Sequence, residues 1–293
     1  MPDPSPTIRE RRIAIELRRL REQTGLTLDQ AAERLRWSRA TLGRVETAVR
    51  RIKPAELQRL LNVYKVDGRH RDDLVELARD ARERGWWHRY TDTLPAAYAT
   101  YIALEADARS LHCYDALVVH GLLQTEDYAR EVIRAGLMQL ASDSQVEQRV
   151  EVRLNRQALL TERDPPLQLW CVIDENTLRR MIGGARVMRA QYARLVEMAE
   201  LPNVTIQVLP HRAGAHPGVE GTFAILEFPE RFMPDVGYIE ALNAALYVED
   251  PAHVDAYSRV FDHLVAEALG IVDSATMLRR LAEEETKEGL DDR

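Results

Sequence analysis

Residues Leu26–Arg51 run LTLDQAAERLRWSRATLGRVETAVRR and carry the signals of two short helices with a turn between them. Thr27, followed three positions later by Gln30, is a capping box: the threonine hydroxyl accepts a first-turn backbone N–H and the glutamine reaches back to the cap. Behind it, Ala31, Ala32 and Leu35 recur on one helical face. A short turn at Arg36-Trp37 follows, and Ser38 caps a second helix that carries Leu42 and Val45 inward. Two capped helices joined by a three- or four-residue turn are the requirement of a helix-turn-helix. The two alanines let the helices approach closely, where larger side chains would hold them apart.

On the N-terminal side, Ile13, Leu17 and Leu20 mark a helix that turns at Thr24-Gly25. Pro54 suits the first turn of a fourth helix with Leu57, Leu60, Leu61 and Tyr64, and a fifth is expected from about 71 to 84 with Leu74, Leu77 and Ala78. Residues 8–84 therefore read as an all-α five-helix domain. Residues 1–7, with three prolines, are expected to form a disordered arm.

Charge divides in the same way. Residues 1–90 hold 21 Lys+Arg against 14 Asp+Glu, a balance of +7, whereas 91–293 hold 19 against 33, a balance of −14. From Arg34 to Arg59 there are eight basic residues (Arg34, Arg36, Arg39, Arg44, Arg50, Arg51, Lys53, Arg59) and two acidic ones (Glu46, Glu56). A basic cluster around the second capped helix is where phosphate neutralisation is needed, so double-stranded DNA is the expected partner of the N-terminal third. The remaining composition is that of an ordinary globular protein of 293 residues, 45% hydrophobic and 30% charged. No apolar run approaches the roughly 18 residues of a membrane span, and the polar start MPDPSPTIRERR has no apolar signal core, so a cytoplasmic location, on the nucleoid when DNA-bound, is expected.

The first stretch resembles the lambda-repressor-like, or XRE-type, helix-turn-helix family from about Leu17 to Val66. The resemblance implies that Ser38 begins the recognition helix, with Arg39, Ala40 and Arg44 facing base edges, and that Thr27, Ser38, Thr41, Arg50, Arg51 and Lys53 fall near phosphates. Arginine can pair bidentately with guanine, and alanine can touch a thymine methyl. It further implies a partly buried ion pair between Arg21 and Glu46. Three positions depart from the family pattern: Arg36 stands for the turn glycine, Leu28 for a phosphate-holding glutamine, and Ala48 for the glycine after the recognition helix. A single helix-turn-helix has a small interface, so a homodimer reading two half-sites is expected.

Residues 85–95 form the expected junction, in which Trp86 and Trp87 should pack against the following domain. Beyond it, helical patterns cover roughly 97–112, 125–137, 142–163, 186–200 and 252–269, and strand-like runs lie at 167–173, 204–209, 222–226 and 236–239. Residues 96–272 thus read as an α+β domain with a mixed or antiparallel sheet, gathered strands being favoured over a regular βαβ alternation. Residues 273–293 read as a C-terminal helix and charged tail. The segment GLLQTEDYAR from Gly121 to Arg130, with Trp86-Trp87, Leu104-Glu105-x-x-Ala108, Gln207–Pro210 and Gly221–Phe223, resembles a C-terminal domain of unknown function fused to XRE-type modules in regulators of filamentous actinobacteria. His120 stands where that family usually has proline. The resemblance implies a transcription regulator governed through this domain by a ligand or a small acidic partner protein encoded nearby. The alternative it allows is an antitoxin-like factor that sequesters that partner and binds DNA for autoregulation.

No catalytic residues, cofactor or metal are expected. The chain has no G-x-S-x-G, phosphate-binding loop or dinucleotide fingerprint. Cys113 and Cys171 cannot make a disulfide framework or a four-cysteine metal site and are expected to be buried, reduced thiols. His211 and His216 lack a helical frame and have only Glu220 nearby, which points to a surface loop. Gly183-Gly184 reads as a helix C-terminus.

Overall fold

A computed structural model describes residues 8–80, 86–90, 94–138, 140–229, 234–241 and 244–291. Residues 1–7, Gly85 and the Trp87 side chain, on which the disordered-arm and junction-packing expectations fall, lie outside the described residues. The chain divides into two compact units, the first running to His88 and the second beginning at Arg89.

The first unit is built from α1 (Ile8–Gln23), α2 (Leu28–Leu35), α3 (Arg39–Glu46), α4 (Pro54–Val63) and α5 (Gly68–Asp80). Its core is assembled from one face of each helix: Leu17 from α1, Ala31 and Leu35 from α2, Leu42 from α3, Leu60 and Leu61 from α4 and Leu74 from α5 are all essentially inaccessible. Each such leucine contributes about 1.5–3 kcal/mol through burial. Both expected caps form: Thr27 and Gln30 make the reciprocal capping box of α2, and Ser38 Oγ accepts from the Thr41 N–H at 3.1 Å. Trp86–Tyr90, on either side of the division, make a short 3-10 turn.

The second unit is a six-stranded mixed sheet with helices on it. In chain order it contains α6 (Ala96–Asp107), β1 (Ser110–Asp115), α7 (Glu126–Gly136), α8 (Asp143–Arg156), α9 (Ala158–Thr161) and β2 (Gln168–Asp174). There follow α10 (Glu175–Arg179), α11 (Gly184–Met198), β3 (Val204–Leu209), β4 (Phe223–Glu227), β5 (Val236–Ala241), β6 (Ala244–Val248), α12 (Pro251–Glu267) and α13 (Ile271–Asp291). The strand order is β3-β2-β1-β4-β5-β6. β1, β2 and β3 are parallel neighbours, while β4, β5 and β6 run antiparallel. The α+β architecture with a mixed sheet is as expected. The preference for gathered strands holds only for β4–β6, because β1, β2 and β3 are joined by helical crossovers, the connection parallel strands require.

Two strands escaped the sequence reading. The helix expected over 97–112 stops at Asp107, and residues 110–115 form β1, a strand at the centre of the sheet. Nearly every β1 residue is buried, so the run shows no alternation to distinguish it from a buried helix. β6 is a short edge strand, half-exposed along its length. Gly183-Gly184 is corrected as well: α10 ends at Arg179, and Gly183 is the N-cap of α11 at φ 70°. A Cβ at Gly183 would sit 2.9 Å from atoms of Glu131 and Val187, so both its backbone sign and its packing require glycine. The final helix is no appendage. Leu278 and Leu281 are buried, Ser274 Oγ accepts from the Val208 N–H at 3.0 Å, and the Leu269 N–H donates to the Val208 carbonyl at 2.8 Å. The outer edge of β3 is thereby capped, which removes a strand edge otherwise open to pairing.

Side chains alternate across the sheet. His112, Tyr114, Trp170, Val172 and Ile225 face α12, where Tyr114, Val172 and Ile225 join Val254, Phe261 and Leu264 in one core cluster. The opposite face is set by Cys113, Asp115, Cys171 and Ala224. The GLLQTEDYAR segment is a packed connection above the sheet. Leu122 and Leu123 are fully buried, Gln124 donates to the Val119 carbonyl, and Gln191 of α11 bonds both the Thr125 N–H and the Leu123 carbonyl at 2.8 Å. His120 has φ −54°, inside the range proline can adopt, but its N–H bonds Asp115, a contact that proline would lose.

Candidate nucleic-acid interface

The helix-turn-helix is shaped by residues that look inward and leaves the others for a ligand. On α3, Leu42, Val45 and Glu46 are buried, while Arg39, Ala40 and Arg44 are exposed. Ala40 and Arg44 are four apart and share a face, with Gly43 and Thr47 beside them. Arg44 is steadied by an Nε hydrogen bond to the Ala40 carbonyl at 3.3 Å. Arg39 is 70% exposed, with Asp29 of α2 3.5 Å away and itself 65% exposed. An exposed pair of this kind is worth little, so Arg39 can exchange Asp29 for a base edge or phosphate.

The turn resolves the departures from the family pattern. Arg36 takes the left-handed conformation, φ 58° and ψ 42°, and its N–H bonds back to Ala32 and Glu33. Ala48 does the same at φ 56° after α3. Both non-glycine residues thus adopt the backbone that glycine takes more cheaply. Leu28 is half-buried and leans over Gly43, its Cδ2 3.7 Å from where a Cβ would stand, so the phosphate anchor of the family pattern is exchanged for an apolar contact between α2 and α3.

The residues implied to meet phosphate fall into two groups. Thr27, Ser38 and Lys53 are exposed at the starts of α2, α3 and α4, where helix N-termini favour anions, and the Thr41 hydroxyl lies 2.9 Å from that of Ser38. Arg50 and Arg51 are already engaged. Arg50 pairs with Glu56 at 2.6 Å and lies over the Trp37 ring at 5.5 Å, and Arg51 pairs with Glu10 at 2.7 Å. Charge counting alone misses these partners, because Glu10 and Glu56 reach the arginines from α1 and α4. Arg59 is spent as well, donating to the Leu35 carbonyl at the end of α2. Among the described residues, Arg34, Arg36, Arg44 and Lys53 carry no ion pair and Arg39 only the exposed one to Asp29, so the cations available to a ligand are these rather than the whole basic cluster.

Arg21 and Glu46 form a two-pronged bridge, Nε to Oε1 at 2.8 Å and Nη2 to Oε2 at 2.9 Å, with side chains 11% and 4% exposed. Arg21 also donates to the Leu26 carbonyl at 3.0 Å, and the Tyr64 hydroxyl reaches Glu46 at 3.4 Å. The hydrogen bond that Arg21 donates to Glu46 raises the Arg21 pKa against the opposing effect of burial. The bridge fastens the C-terminal end of α3 to α1 and the turn before α2.

In the second unit the histidines of the β3–β4 connection are placed differently from each other. The His211 ring lies 2.8 Å from Asn176 Oδ1, half-exposed as a surface loop would have it. His216 is 11% exposed and packs edge-on against Tyr114. Sequence reasoning also left unpaired a fully buried bridge between Glu105 and Arg156, at 2.6 and 2.7 Å with 0% and 4% exposure, flanked by the Tyr98 and Tyr101 rings. Burial by itself lowers the Arg156 pKa, and Glu105, together with Tyr98 and Tyr101, more than reverses this.

Comparison with known families places both units. Residues 12–74 match a helix-turn-helix domain, and residues 98–280 match a domain of unknown function, DUF5753. No curated protein and no solved structure matches the chain. No helix among the described residues is long and apolar enough to cross a membrane. Since the second match covers more than half of the sequence, the chain belongs to the DUF5753 family, carrying its domain behind an N-terminal helix-turn-helix.

Proposed function

We propose that the protein is a sequence-specific, DNA-binding transcriptional regulator of the XRE type. The observation that carries this reading is the outward face of α3, where Arg39, Ala40 and Arg44 stand exposed on a helix whose other side is fixed by Leu42, Val45 and the Arg21–Glu46 bridge. A rigid helix with two exposed arginines and flanking cations fits the major groove, the arginines reading guanine and the helix starts holding phosphates. The protein acts in the cytoplasm as a homodimer on two half-sites, about 34–36 Å apart or a multiple of that. The DUF5753 domain modulates binding through a partner protein or ligand and performs no turnover of its own. Selection from a random duplex library with the full-length chain tests the reading. A two-fold-related motif is the expected result, and recovery of unenriched sequence would refute it.

A further inference from the structure

Cys113 and Cys171 are distant in sequence, but the parallel register of β1 and β2 pairs their Cα atoms. In-register neighbours share a sheet face, and Asp115, two positions along β1, shares it too. The Cys171 thiol donates to Asp115 Oδ2 at 3.1 Å, and Cys113 Sγ lies 3.9 Å from the same oxygen. The three ligand atoms lie within 4.8 Å of one another. Both cysteines are fully buried and Asp115 is 3% exposed. The Asp115 carboxyl accepts from the His120 backbone N–H besides the two weak thiol donors, yet a carboxylate so deep remains costly to bury, and a cation would offset its charge.

Metal–ligand bonds of about 2.3 Å to sulfur and 2.0 Å to oxygen, at tetrahedral angles, separate ligand atoms by about 3.5–3.8 Å. The two sulfur–oxygen distances bracket that range. Cys113 and Asp115 also line a cavity of about 120 Å³ that extends to the exposed Glu240. At about 30 Å³ per water it has room for several, so a fourth ligand position and an entry path both exist. Arg153 lines the same cavity with its Nε buried and without a hydrogen-bond partner among the described residues. It stands where two thiolates, a carboxylate and a dication would leave one negative charge.

We propose that Cys113, Cys171 and Asp115 bind one thiophilic divalent cation of the zinc class, its fourth position open to the cavity. Two sulfurs select against magnesium and calcium, which take oxygen ligands. Loading exchanges the thiol protons for the cation and releases them to solvent. The site does not depend on the DNA-binding reading.

The test uses the full-length chain refolded under reductant with Co²⁺, then desalted. The expected result is one cobalt per chain, a sulfur-to-cobalt charge-transfer band, loss of that band in Cys113→Ala and Cys171→Ala, and displacement of cobalt by zinc. Folded wild-type protein that retains no cobalt, or a sulfur band that survives either cysteine change, overturns the proposal. Because a core substitution can harm folding, a second measurement uses wild type alone. Bound zinc should block disulfide formation between Cys113 and Cys171 under a thiol oxidant, and equal rates with and without zinc would overturn the site.

Discussion

Replacing Arg21 with methionine removes the cation from the bridge that ties α3 to α1 and leaves Glu46, 4% exposed, with only the long Tyr64 contact at 3.4 Å. Breaking one side of a buried pair costs about 3–5 kcal/mol. The low end applies here, because Arg21 is itself 11% exposed and water can enter its place. Glu46→Gln should cost less, about 1–2 kcal/mol, since Arg21 keeps the Leu26 carbonyl and a neutral acceptor. Replacing both residues with methionine should recover part of the loss, giving a coupling of about 2 kcal/mol. Pulsed hydrogen exchange across a urea series, read by mass spectrometry over α1–α4 peptides, isolates the first unit within the full-length chain. With a urea slope of about 1–3 kcal/mol per molar, Arg21→Met should lower the midpoint by about 1–3 M. A loss below about 1 kcal/mol, or strict additivity in the double variant, would refute the claim that this bridge anchors the recognition helix.

Three further outcomes follow from particular residues. Ala48 sits at φ 56°, which costs a side-chain-bearing residue about 1–2 kcal/mol, so Ala48→Gly should stabilise the first unit by about 0.5–1 kcal/mol after the extra chain entropy of glycine, measured by the same exchange midpoint. In the second unit, Arg156→Met strands the fully buried Glu105 and should destabilise it by about 3–5 kcal/mol, read as an earlier urea midpoint for the sheet peptides, with no change in α1–α4. Burial raises the Glu56 carboxyl, but its bonds from Arg50 and the Lys53 N–H prevail and hold it below the ordinary value. Its stabilising contribution is therefore complete above the unfolded value near about pH 4.3 and is lost as pH falls through the folded one, so Glu56→Gln should flatten the acid limb of first-unit stability.

The first unit was legible because its signals are local. Capping at Thr27 and Ser38, apolar spacing and the alanine pair all act within one or two helical turns, and the structure repeats them nearly residue for residue. Its charge was less legible: Arg50, Arg51 and Arg59 look free in the sequence, and only packing shows Glu56, Glu10 and the Leu35 carbonyl against them. In the second unit the runs with clear strand character are legible, but β1 resembles the end of a helix in sequence because burial on both faces erases its alternation. The Glu105–Arg156 bridge and the Cys113–Asp115–Cys171 trio depend on strand register and helix placement, which no spacing rule encodes. For Arg36 and Ala48 the departure from glycine was visible, and the structure supplies its consequence, a left-handed backbone at both.

The measurement closest to the central claim is affinity for the selected duplex and for a scrambled duplex across a salt series, comparing wild type with Arg39→Ala/Arg44→Ala. The account predicts that wild type prefers its site by at least about 10³-fold, with log affinity falling steeply and linearly against log salt. In the double variant the preference should collapse by about 1–3 kcal/mol per lost base contact, while scrambled-duplex binding declines only modestly. An unchanged preference in that variant would contradict the assignment of α3 as the helix that reads DNA.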